Sequence, residues 1–257
     1  MTKEKHIIVE GECHTVVFSD ETEALLAAKA AGRAAVAVDA SMHGGWIPGV
    51  SYVIPDFSHA SDELAELVLR RHLGLPWIIG ETKRLVLREF VPEDSEQIPE
   101  EEYGEQERLF RSKELLEQYI KNQYRFYEYG VWAVVEKGTE QLAGMAGVSN
   151  PDLPRQAEEA LAAAGQRRLM EGGGEASPWL EIGYHIFCPY RNRGYAREAV
   201  QEAADYAREV LGVRLCALIH RDNKASRHLA EGLGMEPIIE INTGSSAGYL
   251  LYAEDQP

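Results

Sequence analysis

The chain is short of cysteine, short of positive charge and without any long apolar run. Its 257 residues hold three cysteines, Cys13, Cys188 and Cys216, which lie far apart and lack the paired spacing of a disulfide framework or a thiolate metal site. Lysine and arginine number 26 against 42 aspartates and glutamates, a formal net charge of -16. Such a surface repels nucleic-acid phosphates and anionic lipid. No stretch approaches the roughly 20 apolar residues of a membrane-spanning helix. The opening Met1–His6 lacks the apolar core of a signal peptide, which together with the sparse cysteines is expected of a protein kept in a reducing cytoplasm. No D-x-D pair of a phosphate-ester hydrolase occurs. The triple glycine at 172–174 is not followed by Gly-Lys-Ser/Thr, which rules out a phosphate loop there. These absences leave a soluble protein expected to work without nucleic acid, membrane or metal.

A length of 257 residues with 45% hydrophobic content suffices for one large or two modest cores. Residues 1–80 alternate strand and helix signals. Thr15–Phe18, Ala34–Val38 and Val50–Ile54 read as strands, with helices over 20–32, capped by Asp20 and ended by Gly32, and over 61–69. That rhythm predicts a small parallel α/β layer. Leu75–Gly80 then reads as a packed connection to residues 81–257.

The densest signal lies at Leu180-Glu181-Ile182-Gly183-Tyr184-His185-Ile186-Phe187-Cys188-Pro189-Tyr190, followed by Arg191-Asn192-Arg193-Gly194-Tyr195-Ala196. A strand breaks at a proline and passes through an arginine-flanked glycine turn into a helix over 198–211, whose apolar face carries Val200, Ala203, Ala204, Ala207, Val210 and Leu211. Backbone N–H groups and a helix N-terminus converge at that turn, which suits a pyrophosphate. A second strand, Arg214–His220, leads to a helix begun by Asn223 and carrying Ser226, and the chain passes on through Leu233-Gly234-Met235.

This order of elements resembles the core of the GNAT acetyltransferase superfamily. The R-x-x-G-x-A turn, the E-I-G-Y strand, the N-x-x-S helix start and the L-G-M ending carry the resemblance. Thr82–Phe90 resembles the first strand of members related to ribosomal-protein N-terminal acetyltransferases, so the likeness covers roughly 82–253. It implies a mixed α/β architecture, a GNAT fold behind a small N-terminal accessory domain without catalytic function. A helical, glycine-rich segment at 151–178 then reads as an insertion, its triple glycine as a mobile flap. The run Ala27–Val38 is loosely similar to part of a haloacid-dehalogenase-like domain.

The resemblance implies acetyl-CoA as co-substrate, with the pantetheine arm along His185, Ile186, Phe187 and Cys188 and the pyrophosphate on the amides of Arg191, Asn192, Arg193, Gly194, Tyr195 and Ala196. A plainer reading makes the arginines a solvated helix start. Asn223 is expected to meet the pantetheine, to cap its helix, or both. Acetyl transfer to an amine needs a base, an oxyanion donor and an acid for the departing thiolate. Glu181 is the candidate base, or else an edge carboxylate in a structural hydrogen bond. Many relatives carry a tyrosine acid seven residues after the asparagine, where this chain has Ala230. The proton is then expected from Ser226, from Tyr184 or Tyr190, or from water. Tyr127 and Tyr129, on a helix read over 112–129, are candidate acceptor contacts. The acidic run Glu93, Asp94, Glu96, Glu100, Glu101, Glu102, Glu105 and Glu107 suggests a cationic acceptor, or else only a solvated loop. The competing reading is a non-catalytic CoA or acyl-CoA sensor that binds a partner. A homodimer is left open.

Overall fold

The computed structural model describes residues 1–39, 49–100, 108–170, 177–242 and 248–254. The chain divides into two compact units, Met1–Trp77 and Ile78–Pro257.

In the first unit, β1 (Thr2–Val9) and β2 (Glu12–Ser19) form an antiparallel hairpin. Its turn residues Glu10 and Gly11 both sit at positive φ, 51° and 83°, the left-handed pair whose twist matches the flanking strands. β2 lies parallel to β3 (Ala34–Val38) and β3 parallel to β4 (Tyr52–Ile54), in the order β1-β2-β3-β4. The parallel layer read from the sequence is therefore β2 to β4, and β1 adds an antiparallel edge. Its sequence, Thr-Lys-Glu-Lys-His-Ile-Ile-Val, is charged and exposed over most of its length, as edge strands that avoid further pairing often are, and this hides it from a periodicity search. Helix α1 (Thr22–Ala30) places Leu25 with Ala37 and Val50. Helix α2 (Asp62–Leu73) places Ala65, Val68 and Leu69 with Val16, Phe18 and Val36. α2 is capped by Ser61, whose hydroxyl accepts from Leu64 N at 3.0 Å, and is stopped by Gly74 at φ 75°. Asp20 does not cap α1. It pairs with the Met1 amino group, and the N-cap is Glu21 without a side-chain bond.

The second unit is built on a sheet of order β11-β12-β10-β9-β8-β7-β6-β5. The strand expected over 82–90 is present as the shorter β6 (Leu85–Arg88), and β5 (Ile78–Glu81), which takes in part of the expected connection at 75–80, pairs antiparallel with it as a hairpin. Thr82 forces the turn: its hydroxyl accepts from Leu85 N at 2.9 Å while its own N–H donates to Leu85 O. β7 (Val131–Glu136) and β8 (Leu142–Ser149) pair antiparallel, and β8 pairs antiparallel with β9 (Trp179–Ile186). β10 (Arg214–His220) then runs parallel to β9, and β11 (Met235–Asn242) and β12 (Gly248–Glu254) close the far edge as an antiparallel hairpin.

Between β6 and β7 come α3 (Arg108–Arg111), α4 (Lys113–Tyr119), a π turn (Ile120–Tyr124) and α5 (Arg125–Tyr127). A continuous amphipathic helix over 112–129 is thus interrupted. One residue inserted by a π turn rotates the following stripe by about 100°. Leu116 and Tyr124 are buried, whereas Leu115 and Tyr127 are exposed. Helix α6 (Arg155–Met170) packs Ala157 and Leu161 against Cys216, Ile241 and Leu251. The triple glycine lies outside the described residues.

Helix α7 (Tyr195–Glu209) packs a face of small residues, Ala199, Val200, Ala203, Ala204 and Ala207, all buried, on the sheet. Val210, expected on that face, closes the helix and is 55% exposed. Helix α8 (Lys224–Gly232) follows β10. Among the described residues no helix is long and apolar enough to cross a membrane, and no group of three or more His, Cys, Asp or Glu is placed to hold a metal ion.

Candidate functional site

β9 has a full ladder on one side and an interrupted one on the other. It pairs with β8 from Glu181 to Ile186, but with β10 only at Trp179, Leu180 and Glu181. Beyond Glu181 the two parallel strands part, and a cleft of about 220 Å³ opens between them, walled by α7 and α8. Among the described residues the β10-facing edge of Ile182–Ile186 has no strand partner. An extended ligand can pair with such an edge as a further strand would.

Glu181 stands where the ladder ends. Its Oε1 accepts from Leu218 N at 3.2 Å, replacing the strand bond lost at the fork. Burial raises its pKa from the ordinary carboxylate value, and backbone N–H donation from Leu218 and Asp152 offsets part of that rise. A carboxyl so placed both holds the fork and can take a proton. Of the two readings made from the sequence, the structural hydrogen bond is the one seen directly.

Tyr184 crosses the cleft, with its hydroxyl 2.9 Å from that of Ser226 on α8. Two candidate acids from different elements are therefore joined. Asn223 accepts from Ser226 N at 3.1 Å as the α8 N-cap and also lines the cleft. Ala230 lines the same wall. His220, the last residue of β10, lines the cleft and was not singled out from the sequence. Its Nδ1 accepts from Asp222 N at 3.2 Å, which leaves the proton of the neutral ring on Nε2. The only signal in its favour is its position, at a strand end just ahead of an asparagine-capped helix.

The remaining candidates on β9 divide. His185 is not among the residues that line the cleft, and its Nε2 lies 3.3 Å from the Arg191 guanidinium. Ile186 and Phe187 are buried, and Phe187 has both backbone groups engaged, its N–H donating to Ala143 O and its carbonyl accepting from Tyr190 N. Cys188 is exposed and begins the short 3-10 turn Cys188–Tyr190.

The turn that follows is shaped by backbone. Arg191 Nε donates to Ile186 O at 2.8 Å, Asn192 takes φ 60° and Gly194 φ 80°. Gly194 is the N-cap of α7 and offers no side chain to its first amides. The first-turn amides of Tyr195, Ala196 and Arg197 have no intrahelical acceptor. Arg191 and Arg193 are exposed beside them. The Tyr195 ring is buried and its hydroxyl donates to Glu136, so of this residue only the backbone faces the turn.

The aromatic candidates lie outside the cleft lining. Tyr127 is exposed and packs on Tyr129, and Tyr129 donates to Asn150 Oδ1 at 2.7 Å. Asn150 is two residues from Asp152, whose amide reaches Glu181. Tyr119 and Tyr124 are structural. Their hydroxyls are taken by the backbones of Phe90 and Val131, and burial pushes the Tyr119 hydroxyl up to about 12. Of the acidic run, Asp94 is not a steering charge, since it is buried in a two-fold bond with Arg88 at 2.7 and 2.8 Å. Glu93 pairs with Lys113. Glu101, Glu102, Glu105 and Glu107 lie outside the described residues.

Residues 84–236 match the family model described as an acetyltransferase (GNAT) domain. Similar solved structures include an acetyltransferase of the GNAT family from Bacillus anthracis, at 18% identity and TM-score 0.46 over 67% of this chain and 95% of that one. Another is a ribosomal-protein-alanine acetyltransferase from Vibrio fischeri, at 16% and 0.49 over 70% and 96%. A third is an acetyltransferase from Agrobacterium tumefaciens, at 19% and 0.46 over 69% and 94%. The family match leaves residues 1–77 outside it and gives no support to the likeness of Ala27–Val38 to a haloacid-dehalogenase-like domain.

Proposed function

The chain belongs to the GNAT acetyltransferase family, whose members use acetyl-CoA as co-substrate, and from that premise we propose an N-acetyltransferase that acts on a primary amine in a ternary complex. The observation that carries this reading is the fork between β9 and β10. It brings a free strand edge, a half-buried carboxyl and the Tyr184–Ser226 hydroxyl pair to one cleft. The uncapped N-terminus of α7 lies just along the chain from that edge.

In this reading the pantetheine arm lies along the open edge of β9, and the pyrophosphate takes the amides of the 191–196 turn, with Arg191 and Arg193 beside it. A backbone N–H of that edge receives the oxyanion as the amine adds to the thioester carbonyl. The amine's proton passes to Glu181, directly or through water. Its pKa, raised by burial, brings it closer to the operating range of a base than an ordinary carboxylate. As the C–N bond completes, the C–S bond breaks and the thiolate takes a proton from Ser226. Tyr184 replaces that proton through the hydrogen bond it shares with Ser226, and solvent reprotonates Tyr184 while Glu181 releases the amine's proton to water. Ala230, which has no donor, leaves this pair to do the work. Tyr127 and Tyr129 stand at the acceptor side and not within the cleft.

The acceptor is proposed to be cationic, and residues 1–77 to be an accessory unit without a reaction of its own, in a cytoplasmic protein. Thiol release from acetyl-CoA across amino acids, polyamines, aminoglycosides and peptide N-termini tests the reading. Turnover above free hydrolysis with at least one amine is expected. Tight CoA binding without any turnover would leave a sensor in its place.

A further inference from the structure

Thr82 and Arg84, in the turn between β5 and β6, do not line the cleft, yet they hold its phosphate end. Glu198, in the first turn of α7, has both oxygens taken by this pair of residues. Oε1 accepts from the Thr82 hydroxyl and from Arg84 N at 2.9 Å, and Oε2 accepts from Arg84 Nε at 2.8 Å and from its terminal NH2 at 2.6 Å. The remaining guanidinium arm of Arg84 donates to the carbonyl of Arg193 at 2.7 Å. Its plane lies over the Tyr195 ring at 4.6 Å, and the Tyr195 hydroxyl is fastened in turn to Glu136. Arg193 and Tyr195 flank Gly194, and Glu198 lies one helical turn beyond it.

Asn192 and Gly194 both sit in the left-handed region. A corner with two such residues is not held by backbone preference, since glycine adopts either sign of φ freely. An outside hand on the Arg193 carbonyl decides the orientation of the amides that follow. Glu198 also places a negative charge in the same helical turn that would receive an anion, and the Arg84 guanidinium neutralises it at contact distance. The ion pair is half exposed on its arginine side, and pairs of that kind add little to global stability. The number of partners, and their placement on one turn, need another explanation.

We propose that Arg84 is the positioning residue of the phosphate turn: it grips the Arg193 carbonyl, the Tyr195 ring and Glu198 together, so that the amides of 194–196 face a bound pyrophosphate before it arrives. This rests on the reading of that turn as the CoA site. The control is at the other end of the same helix. There Arg208 makes a similar tie, donating from Nε to Glu254 at 2.8 Å and from NH2 to the Leu233 carbonyl at 2.8 Å.

Calorimetric titration of the full chain with CoA, alongside its thermal midpoint, separates the outcomes. Arg84→Ala and Arg84→Lys are both expected to weaken CoA about tenfold or more, because a lysine point charge cannot span a carboxylate, a carbonyl and a ring. Arg208→Ala is expected to lower the midpoint while leaving CoA affinity within about twofold. If Arg84→Ala does not fold, Arg84→Lys alone decides. CoA binding within about twofold of wild type in the folded Arg84 variants, or an equal loss in Arg208→Ala, would overturn the proposal. A wild-type chain that does not bind CoA would instead remove the CoA site itself, and the brace with it.

Discussion

Two parallel neighbours, β9 and β10, hand over to helices through short turns, and the two corners are built in opposite ways. At the β10–α8 corner Asn223 turns its side chain onto Ser226 N, and the helix start is closed by its own residue. At the β9–α7 corner the N-cap is Gly194, with left-handed backbone and no side chain to offer, and the first-turn amides stay available. Every helix start presents unsatisfied N–H groups. It becomes a site for an anion only where the chain refrains from filling it. The corner that is filled still serves the cleft, because capping places Ser226 within reach of Tyr184.

The sharpest way to break this contrast is at Gly194. Valine there would be held at φ 80°, a strained conformation for a branched residue, and its Cβ would come to 3.4 Å from Arg84. CoA affinity is expected to fall by about a hundredfold, from strain and lost amide approach combined. Calorimetry on a variant whose circular dichroism matches wild type checks this. Undiminished binding would mean that the open corner is not where the phosphate sits.

At the filled corner the expected effect is on rate. Ser226→Ala should lower kcat by about tenfold to a hundredfold while the KM for acetyl-CoA stays within about threefold. Tyr184→Phe should lower kcat in the same direction, since it interrupts the same proton path. If Ser226→Ala leaves kcat unchanged at saturating substrate, the acid is solvent or another group, and α8 serves packing alone.

The fork between the corners gives a prediction about pH. Burial raises the Glu181 pKa above its unfolded value. Its protonated form is therefore favoured by folding, and the associated stability is full below the unfolded pKa and lost as pH rises through the folded one. Glu181→Gln should accordingly be more stable than wild type at neutral pH, with the advantage shrinking as the solution is acidified. Its activity should fall, and the acid limb of the wild-type rate profile should disappear. A thermal midpoint that is lower in the glutamine variant at pH 7 would show that the charge is welcome at the fork. Asn223→Ala brings the smallest effect, about 1 kcal/mol of stability from a lost cap, with CoA affinity reduced far less than by Gly194→Val.

The second sheet's centre was largely legible in the sequence, because its information is local. β9, the turn, α7, β10 and the Asn223 cap follow one another within some fifty residues, each with its own chemical signature. What the local pattern hid shares a cause in side-chain partners that periodicity does not register. Asp94 reads as one charge of a solvated or steering run until Arg88 is placed against it. Arg84 was read as one residue of a strand, since nothing local says that Glu198, 114 positions later, will meet it. β1 was hidden because its stabilising feature is pairing and not apolar periodicity. His220 has no signature of its own and becomes visible only when β9 diverges from β10.

That divergence has a mechanical side. Three residue pairs join β10 to β9, so the eight strands form a block of five and a block of three that are fastened at one end. The seam between them is joined by as few residue pairs as β5 and β6 at the edge, and by fewer than any other junction in this sheet. Amides along Ile182–Ile186 should exchange with solvent faster than their neighbours in β8 when the cleft is empty, and slow when a ligand chain lies along them. A ligand that occupies a seam in the folded state, and has no counterpart in the unfolded one, stabilises by RT ln(1 + [L]/Kd). The endurance of the folded chain would then follow the concentration of the molecule it consumes.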